Sequence, residues 1–402
     1  MTSVLTIALA GDVYPVRRFP TPLPEPVDAV LQGLRAADVA IGDFEIPLTR
    51  RGEPMEKLLT IRADPEVAAD LPALGFDVMT LANNHCVDYG WQGLQDTMSA
   101  LEGAGVRPVG AGATLSDAVR PVVVERRSMR VGVLAFSCLL PTGMAAADNR
   151  PGIAPIHVET SYEIDPYYQM EEPGDPRVVN VRTRVRDQDR AFAEECIRRC
   201  QNEVDFLVVS IHWGFGSGEL LADYQQPLGR ALIDAGADVV HGHHPHAIHP
   251  IEFYHGKAIL YGSGTLLGQQ VFLDASPQVK ELWAEMSPDS YVACLDVEPG
   301  GRYAVRVIPT SMNTERLPEL ATGEAFNRVQ ERLGRLSARH GVAVNVVDGE
   351  LRVAPRCDLR HEPPIRTGLA QIHSALARRA PSGIYVDGHP RPTHQRKGLQ
   401  MF

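Results

Sequence analysis

Four of the chain's fourteen histidines lie within residues 241–246, directly after the apolar run 235–240. An apolar run that passes into a stretch with glycine and proline predicts a buried strand followed by a loop. Imidazole is a common nitrogen ligand of transition metals, and histidines clustered on a loop can converge on one ion. Since the flanking residues are apolar and periodic rather than of low complexity, we interpret the cluster as part of a metal site and not as a solvated histidine tract.

Composition narrows the class of protein. A chain of 402 residues with 44% hydrophobic and 22% charged residues is typical of a globular protein with one large domain plus an appendage, or with two domains. The net charge of −11 argues against a nucleic-acid partner, because phosphate backbones require a basic surface. Residues 3–10 are too short for a membrane span and lack the basic start of a signal peptide. The six cysteines show no disulfide or zinc-ribbon spacing. We expect a reduced, cytoplasmic protein without a membrane span, and the sequence carries no signal of its oligomeric state.

Short runs rich in valine, isoleucine and leucine alternate with segments of helical period, which predicts an α/β fold. The predicted strands are residues 5–10, 39–42, 78–81, 131–136, 206–211 and 239–240. The predicted helices are residues 26–35, 65–74, 91–103, 187–200 and 225–235.

Two further regions have a different pattern. Residues 141–184 show no clear period, and we interpret them as an irregular insertion that is either a lid over the site or a surface feature. After residue 310 we expect an α+β extension, residues 311–402, whose last twenty or so residues are mobile. Its predicted elements are a helix at 318–340, a hairpin at 342–353 that turns at Asp348-Gly349, and a helix at 366–379.

Polar residues suited to metal binding follow five of the predicted strands. Because strand carboxyl ends share one edge of an open α/β sheet, these residues are expected to meet at one place. They are Asp12 after the first strand, Asp43 and Glu45 after the second, Asn83, Asn84 and His85 after the third, His212 after the fourth, and His243, His244 and His246 in the histidine cluster.

Oxygen and nitrogen donors of this kind suit one or two divalent transition metals, with manganese, iron and zinc as candidates. Glu45 or Asp43 could bridge two ions, and Asp12 could bind one of them. His85 could stay outside the metal shell and protonate a leaving group, oriented by Asp88. Each residue taken alone has a simpler explanation: Asp12 as a helix N-cap, Asn83-Asn84 as a turn, His212 as a buried structural histidine. The joint pattern favours the metal site.

Five motifs in order resemble the CapA family of poly-gamma-glutamate capsule biosynthesis proteins, which belongs to the calcineurin-like metallophosphoesterase superfamily. The resemblance covers about residues 3–310. The motifs are Gly11-Asp12-Val13, then Phe44-Glu45-Ile46-Pro47-Leu48-Thr49, then Leu81-Ala82-Asn83-Asn84-His85 with Asp88-Tyr89-Gly90, then His212-Trp213-Gly214, and Gly242-His243-His244-Pro245-His246 with Ile251-Glu252.

The resemblance implies a four-layer α/β/β/α metallophosphoesterase-like sandwich with the metal site at its strand ends. By the same resemblance the metal ligands would be Asp12, Glu45, Asn84 and His212, with His85 as the adjacent catalytic histidine. His244 and His246 match the superfamily's final His-x-His spacing, and His243 could replace either. The chain departs from the usual pattern at Tyr14, where phosphoesterases carry a histidine, at Asp43, an added carboxylate, and at Thr265, where the family has asparagine.

Two functions follow from these observations. The first is a metal-dependent hydrolase that cleaves a phosphoester or an amide bond, γ-glutamyl amides included, with a metal-activated water, and takes a small-molecule or peptide-conjugate substrate. Arg17 and Arg18, close behind Asp12, could bind a phosphate or carboxylate group, or could lie on a solvated loop. The second is a non-catalytic accessory protein that binds a polyanionic polymer or a synthase partner. The largely intact set of metal-site residues favours the enzyme.

Overall fold

A computed structural model describes residues 4–347 and 349–356, and in that part the apolar runs form two large sheets flanked by helices. The strands in chain order are β1 (Leu5–Tyr14), β2 (Val39–Phe44), β3 (Val78–Thr80), β4 (Arg107–Val109), β5 (Ala111–Gly112), β6 (Val122–Arg126), β7 (Met129–Ser137), β8 (Gly152–Ile153), β9 (Val158–Ile164), β10 (Val179–Val185), β11 (Phe206–His212), β12 (Val239–His243), β13 (Ile251–Tyr254), β14 (Lys257–Leu260), β15 (Thr265–Gly268), β16 (Asp289–Val297), β17 (Tyr303–Met312), β18 (Pro318–Leu320), β19 (Val342–Val347) and β20 (Glu350–Pro355).

Helices lie in nine of the nineteen connections between these successive strands. The α-helices are α1 (Glu25–Ala36), α2 (Leu71–Leu74), α3 (Gly90–Gly103), α4 (Leu115–Ala118), α5 (Pro166–Glu171), α6 (Asp187–Gln201), α7 (Gln225–Asp234), α8 (Pro277–Ala284) and α9 (Gly323–Ala338). Short 3-10 helices span Pro65–Asp70, Pro176–Val178 and Gln269–Phe272. Among the described helices, none is both long and apolar enough to cross a membrane.

Both large sheets mix parallel and antiparallel pairs. The first runs β19-β20-β17-β16-β1-β2-β3-β4, with β15 beside β1 and β18 beside β17. Its β1, β2, β3 and β4 are parallel, while β16, β17, β20 and β19 are joined by antiparallel pairs. The second sheet runs β13-β14-β12-β11-β7-β6, and its four central strands are parallel.

Alternate residues of the second sheet enter different apolar clusters. In β7, Val131 and Val133 share a cluster with β1 and β2 of the first sheet, whereas Leu134 and Phe136 pack with apolar residues of α6 and α7. This alternation follows from the two-residue period of a strand, which sends successive side chains to opposite faces. One face of the second sheet therefore packs toward the first sheet, and the other is covered by helices.

All six predicted strands are confirmed, and most run past their last apolar residue. β1 extends to Tyr14, β2 to Phe44 and β12 to His243. The apolar pattern ends before each strand does, because the strand ends contain polar residues. These polar residues are nevertheless buried. The helices predicted at 26–35, 91–103, 187–200 and 225–235 are confirmed within a residue or so as α1, α3, α6 and α7.

Three predictions need correction. The helix at 65–74 is a 3-10 helix followed by the short α2, because Pro72 interrupts the backbone hydrogen bonds. The helix at 318–340 begins only at Gly323, since residues 318–320 pair with β17 as β18. Residues 141–184 contain a regular antiparallel ribbon of β9 and β10, whose charged face masks the alternation.

The described part of the predicted C-terminal extension continues the first sheet. The hairpin at 342–353 is confirmed as β19 and β20, and β20 pairs with β17. The helix predicted at 366–379, the last twenty residues and Asp348 lie outside the described residues.

Candidate metal centre

The first sheet brings three carboxylates to its strand ends. Asp12 near the end of β1 is the register partner of Asp43 in β2. Glu45 follows β2 directly, and its backbone N–H donates to Val13 O at 3.2 Å, which holds it beside β1. All three carboxylates are at most 1% exposed. Parallel neighbours in register thus place these side chains at one level of the sheet.

The second sheet supplies imidazoles to the same place. His212 at the end of β11 is the register partner of His243 at the end of β12. His244 and His246 follow β12 with φ of 89° and 50°, in the left-handed region that residues with a side chain rarely adopt. Such backbone strain persists where the surrounding structure holds it, and here it brings both imidazoles next to the carboxylates.

The contacts between the two sheets are short. His212 Nδ1 lies 3.3 Å from Asp43 Oδ2, and His212 Nε2 lies 3.3 Å from Glu45 Oε1. His246 Nδ1 lies 2.9 Å from Asp12 Oδ2, and His243 Nδ1 lies 3.4 Å from Asp12 Oδ1.

Two overlapping groups of side chains have donor atoms close enough to share an ion. Glu45, His212 and His244 form one group, and Glu45 and His212 also join Asp12 and Asp43 in the other, with all donor atoms of a group within 4.8 Å of one another. Oxygen and imidazole nitrogen donors without thiolate are the set that divalent transition metals accept. The residues present fit such an ion.

Several polar atoms of this cluster are buried and lack a hydrogen-bond partner among the described residues. They include both carboxylate oxygens of Glu45, both ring nitrogens of His243 and Nδ1 of His244. A buried carboxylate without donors costs several kcal/mol unless a cation compensates it. The cluster therefore has the electrostatics of a cation site.

The pKa values follow from the same geometry. Burial lowers the pKa of His212, but the Glu45 and Asp43 carboxylates outweigh it and raise that pKa to about 10. Burial and the nearby His212 hold the pKa of His244 well below its usual range. His244 is therefore neutral at physiological pH and has a lone pair for a metal.

A second set of side chains surrounds His85. His85 Nδ1 lies 2.8 Å from Asp88 Oδ2, which also accepts from the backbone N–H of Ile61 at 2.8 Å. Lys57 Nζ donates to Asp88 Oδ1 and to Asn84 O, both at 2.6 Å. Sequence reasoning missed Lys57 because it lies on a loop without periodicity. The one sequence feature that could have drawn attention to Lys57 is that the chain has only four lysines.

Asn84 and Tyr14 also reach the centre, whereas Asn83 holds a turn. Asn84 Oδ1 lies 2.8 Å from His212 Nε2. The Tyr14 hydroxyl lies 3.5 Å from His246 Nε2. Asn83 Oδ1 accepts from two backbone N–H groups, those of His85 and Cys86.

The model of one protein family, described as bacterial capsule synthesis protein PGA_cap, matches residues 6–270, more than half of the chain. The chain belongs to this family. A Mycobacterium tuberculosis relative named a probable polyglutamine synthesis accessory protein is 32% identical over 352 residues, which cover 84% of each chain. The PGA biosynthesis protein CapA of Bacillus subtilis is 30% identical over 276 residues, covering 66% of this chain and 64% of that one. The capsule biosynthesis protein CapA of Bacillus anthracis is 28% identical over 241 residues, covering 59% and 52%.

The PGA_cap match contains every residue of the metal centre but ends before β16 to β20 and α9. Inside the match, Arg18 forms a two-bonded ion pair with Asp70, with both N–O distances 2.7 Å. The Arg17 guanidinium lies 4.0 Å from the centre of the Phe272 ring. Substrate binding by these two arginines stays a prediction.

Proposed function

We propose that this PGA_cap-family protein is a metal-dependent hydrolase that cleaves a phosphoester or an amide bond, γ-glutamyl amides included. The observation that carries the proposal is Glu45, a fully buried carboxylate whose two oxygens lack hydrogen-bond donors among the described residues and face imidazoles and further carboxylates. A protein that only needed a stable core would satisfy or replace such a group.

The side chains that would hold one or two ions of manganese, iron or zinc are Asp12, Asp43, Glu45, Asn84, His212, His243, His244 and His246. A divalent ion in this centre would act as a Lewis acid toward a phosphoryl or carbonyl oxygen and would lower the pKa of water. The arrangement of two facing sheets with helices outside supports a four-layer α/β/β/α metallophosphoesterase-like sandwich.

His85 is the proposed proton donor to the leaving group. Asp88 accepts from His85 Nδ1 and stabilises the imidazolium, so that the Nε2 proton can pass to the leaving oxygen or nitrogen. Lys57 and the Ile61 N–H hold Asp88 in place through one bond to each carboxylate oxygen. After the transfer, neutral His85 regains its proton from solvent, to which the residue is 7% exposed.

The second candidate function is that of an accessory protein in capsule or polyglutamate synthesis. The observation that favours it is the name of the Mycobacterium tuberculosis relative, which matches 84% of this chain. In that role the centre would bind a metal for structure or for partner recognition, and the protein would turn over none of the test substrates.

Elemental analysis of the purified protein, before and after reconstitution with manganese, iron or zinc, tests the proposal. We expect one or two metal equivalents, and hydrolysis of a phosphodiester, a phosphomonoester or a γ-glutamyl amide. Glu45→Gln and His244→Ala should each lose metal and at least about a hundredfold in turnover, because they remove ligands rather than surface charge.

The matched control is Glu252→Gln, another buried glutamate, which should keep both the metal and the activity. Metal in the wild type without hydrolysis of any of the three substrates would favour the accessory role. A wild type that binds no metal after reconstitution would overturn the metal centre itself.

A further inference from the structure

A cavity of about 230 Å³ adjoins the metal centre on the side of the final histidines. It is lined by the loop after β11, the turn after β12, the segment before β16 and α9. The residues used below are His246, Gly216, Ser217, Gly218 and Arg332. Two carboxylates also line the cavity, Glu219, which Arg335 binds, and the exposed Glu285. Gly216 is close to the centre, since a Cβ added there would lie 3.4 Å from His244 Nε2. The volume is several times the roughly 30 Å³ of a water molecule and admits a carboxylate or phosphate group.

Arg332 of α9 lies in this wall with its guanidinium half-buried. Its Nε donates to Ile248 O and its Nη2 to Gly218 O, both at 2.9 Å. Among the described residues, its other N–H groups, including both on Nη1, have no acceptor within hydrogen-bond distance. The nearest carboxylate oxygen is on Glu219, 3.9 Å from Nε, and that carboxylate is bound by Arg335 at 2.6 and 2.9 Å.

The neighbouring arginines of α9 show what is unusual about Arg332. Arg328 forms two bonds of 2.8 Å with Asp289, and Arg335 forms two with Glu219. Arg332 donates only to neutral backbone carbonyls, and its nearest carboxylate, Glu219, is already bound by Arg335. Burial lowers the pKa of Arg332, and Glu219 opposes that shift only in part. A planar guanidinium with free N–H groups at a cavity wall is suited to a two-bonded contact with a carboxylate or phosphate.

We propose that this cavity is an anion subsite, in which Arg332 binds a carboxylate or phosphate group of the substrate while the bond to be cleaved lies at the metal centre. The subsite rests on the proposed hydrolase function and deepens it, because it requires a substrate with an anionic group beside the cleaved bond. It also gives a role to α9, which lies beyond the residues matched by the family model.

The test measures binding of two probe anions, inorganic phosphate and succinate, to the full-length protein by calorimetry. The protein is treated with a chelator first, so that neither probe can bind through a metal. We expect Arg332→Gln to weaken binding at least about tenfold, because it removes the positive charge and some of the guanidinium N–H donors that contact the anion. Arg328→Gln, the matched control on the same helix, should change the dissociation constant less than about twofold, because its partner is Asp289. The probe that binds more tightly identifies carboxylate or phosphate as the preferred group.

Ser217→Glu is the second variant, because Arg332→Gln also removes the bond to Gly218 O in the loop after β11 and the bond to Ile248 O. Ser217 is exposed on the cavity wall, and a carboxylate there should compete for Arg332 and weaken both probes about threefold or more without loss of folding. Unchanged binding in both variants, or a wild type that binds neither probe, would overturn the subsite. Metal uptake, measured by reconstituting part of each preparation after the chelator is removed, separates the two proposals: a protein that takes up no metal but still shows the Arg332 effect loses the hydrolase and keeps the anion site.

Discussion

Glu45 and Glu252 are both buried glutamates, 0% and 3% exposed, but their surroundings are opposite. The carboxylate of Glu252 accepts from Tyr261 Oη at 2.7 Å, from Gln226 Nε2 at 3.2 Å and from Arg230 Nε at 2.8 Å. Glu45 receives no such bonds within the described residues, and its charged neighbours are Asp12, Asp43 and His212. The first carboxylate has hydrogen-bond donors on both oxygens, whereas the second lies beside two further carboxylates and shares the His212 imidazole, 3.3 Å away, with Asp43.

The difference separates two uses of a buried charge. Around Glu252, donors from α7 and from Tyr261, just after β14, meet at one carboxylate, and His340, just after α9, lies 3.6 Å away, which is a structural role. Around Glu45, three carboxylates outnumber His212 and His246, the two imidazoles whose pKa they raise, so the buried negative charge is only partly offset unless a cation binds.

The largest expected effect is stabilisation by metal. At about a thousand times its dissociation constant, a bound ion should stabilise the wild type and Glu252→Gln by about 4 kcal/mol, because it binds only the folded state. Glu45→Gln should lose most of this response. Urea unfolding with metal and with chelator measures this stabilisation. An equal stabilisation of all three proteins would contradict the proposed difference between Glu45 and Glu252.

The next effect is on the metal-free protein. Glu252→Gln should lower the free energy of unfolding by about 2 kcal/mol, because it weakens hydrogen bonds to a charged acceptor and leaves Arg230 without its anion. Glu45→Gln should stay within about 1 kcal/mol of the wild type, because the loss of its contact with His212 is offset by relief of the repulsion from Asp12 and Asp43. Urea unfolding in chelator compares the two, and a larger loss for Glu45→Gln would contradict the interpretation.

A smaller effect is expected at the proton donor. Lys57→Met should lower turnover about tenfold with the metal content unchanged, because Asp88 loses a partner that positions His85. Lys257→Met is the matched control, since Lys257 also joins an aspartate, Asp238 at 3.0 Å, to a backbone carbonyl, Ala237 O at 2.9 Å. Steady-state kinetics of both variants should show the loss in Lys57→Met alone.

The smallest effect is a pH dependence. Burial opposes it, but hydrogen bonds from His340, Tyr261, Arg230 and Gln226 lower the pKa of Glu252 to about 2 from 4.5. Because the folded-state pKa is depressed, the stability from Glu252 is complete above pH 4.5 and is lost as the pH falls toward 2. The difference in unfolding free energy between the wild type and Glu252→Gln should shrink across this window. A constant difference at pH 6, 4 and 3 would show that ionisation of Glu252 is not its source.

Much of the fold could be predicted because strand and helix periods are local. The continuous apolar run of β11 and the amphipathic pattern of α6 are both readable from their own residues. β16 and β17 were missed although they are central, because alternating polar residues such as Asp296 and Arg306 interrupt their apolar pattern. In the structure these two residues are buried together as an ion pair, with an N–O distance of 2.6 Å.

The candidate site was predictable to the extent that its residues lie at strand ends. The metal-site candidates form one cluster, and Asn84 and His85 lie beside it. Lys57 and Arg332 were not predictable, since neither lies on a strand end or in a motif. They reach the site because a loop and a helix fold back over it.

The sequence by itself determined the order of most strands and helices, the donor residues at the strand ends and the membership of a family, because these depend on local periodicity and on residue order. Only the tertiary structure decided which donors meet. The in-register pairs Asp12 with Asp43 and His212 with His243 face each other because two sheets pack together, and their packing is set by the whole core. The contact of Arg332 with Ile248 O, across 84 residues of chain, exists for the same reason.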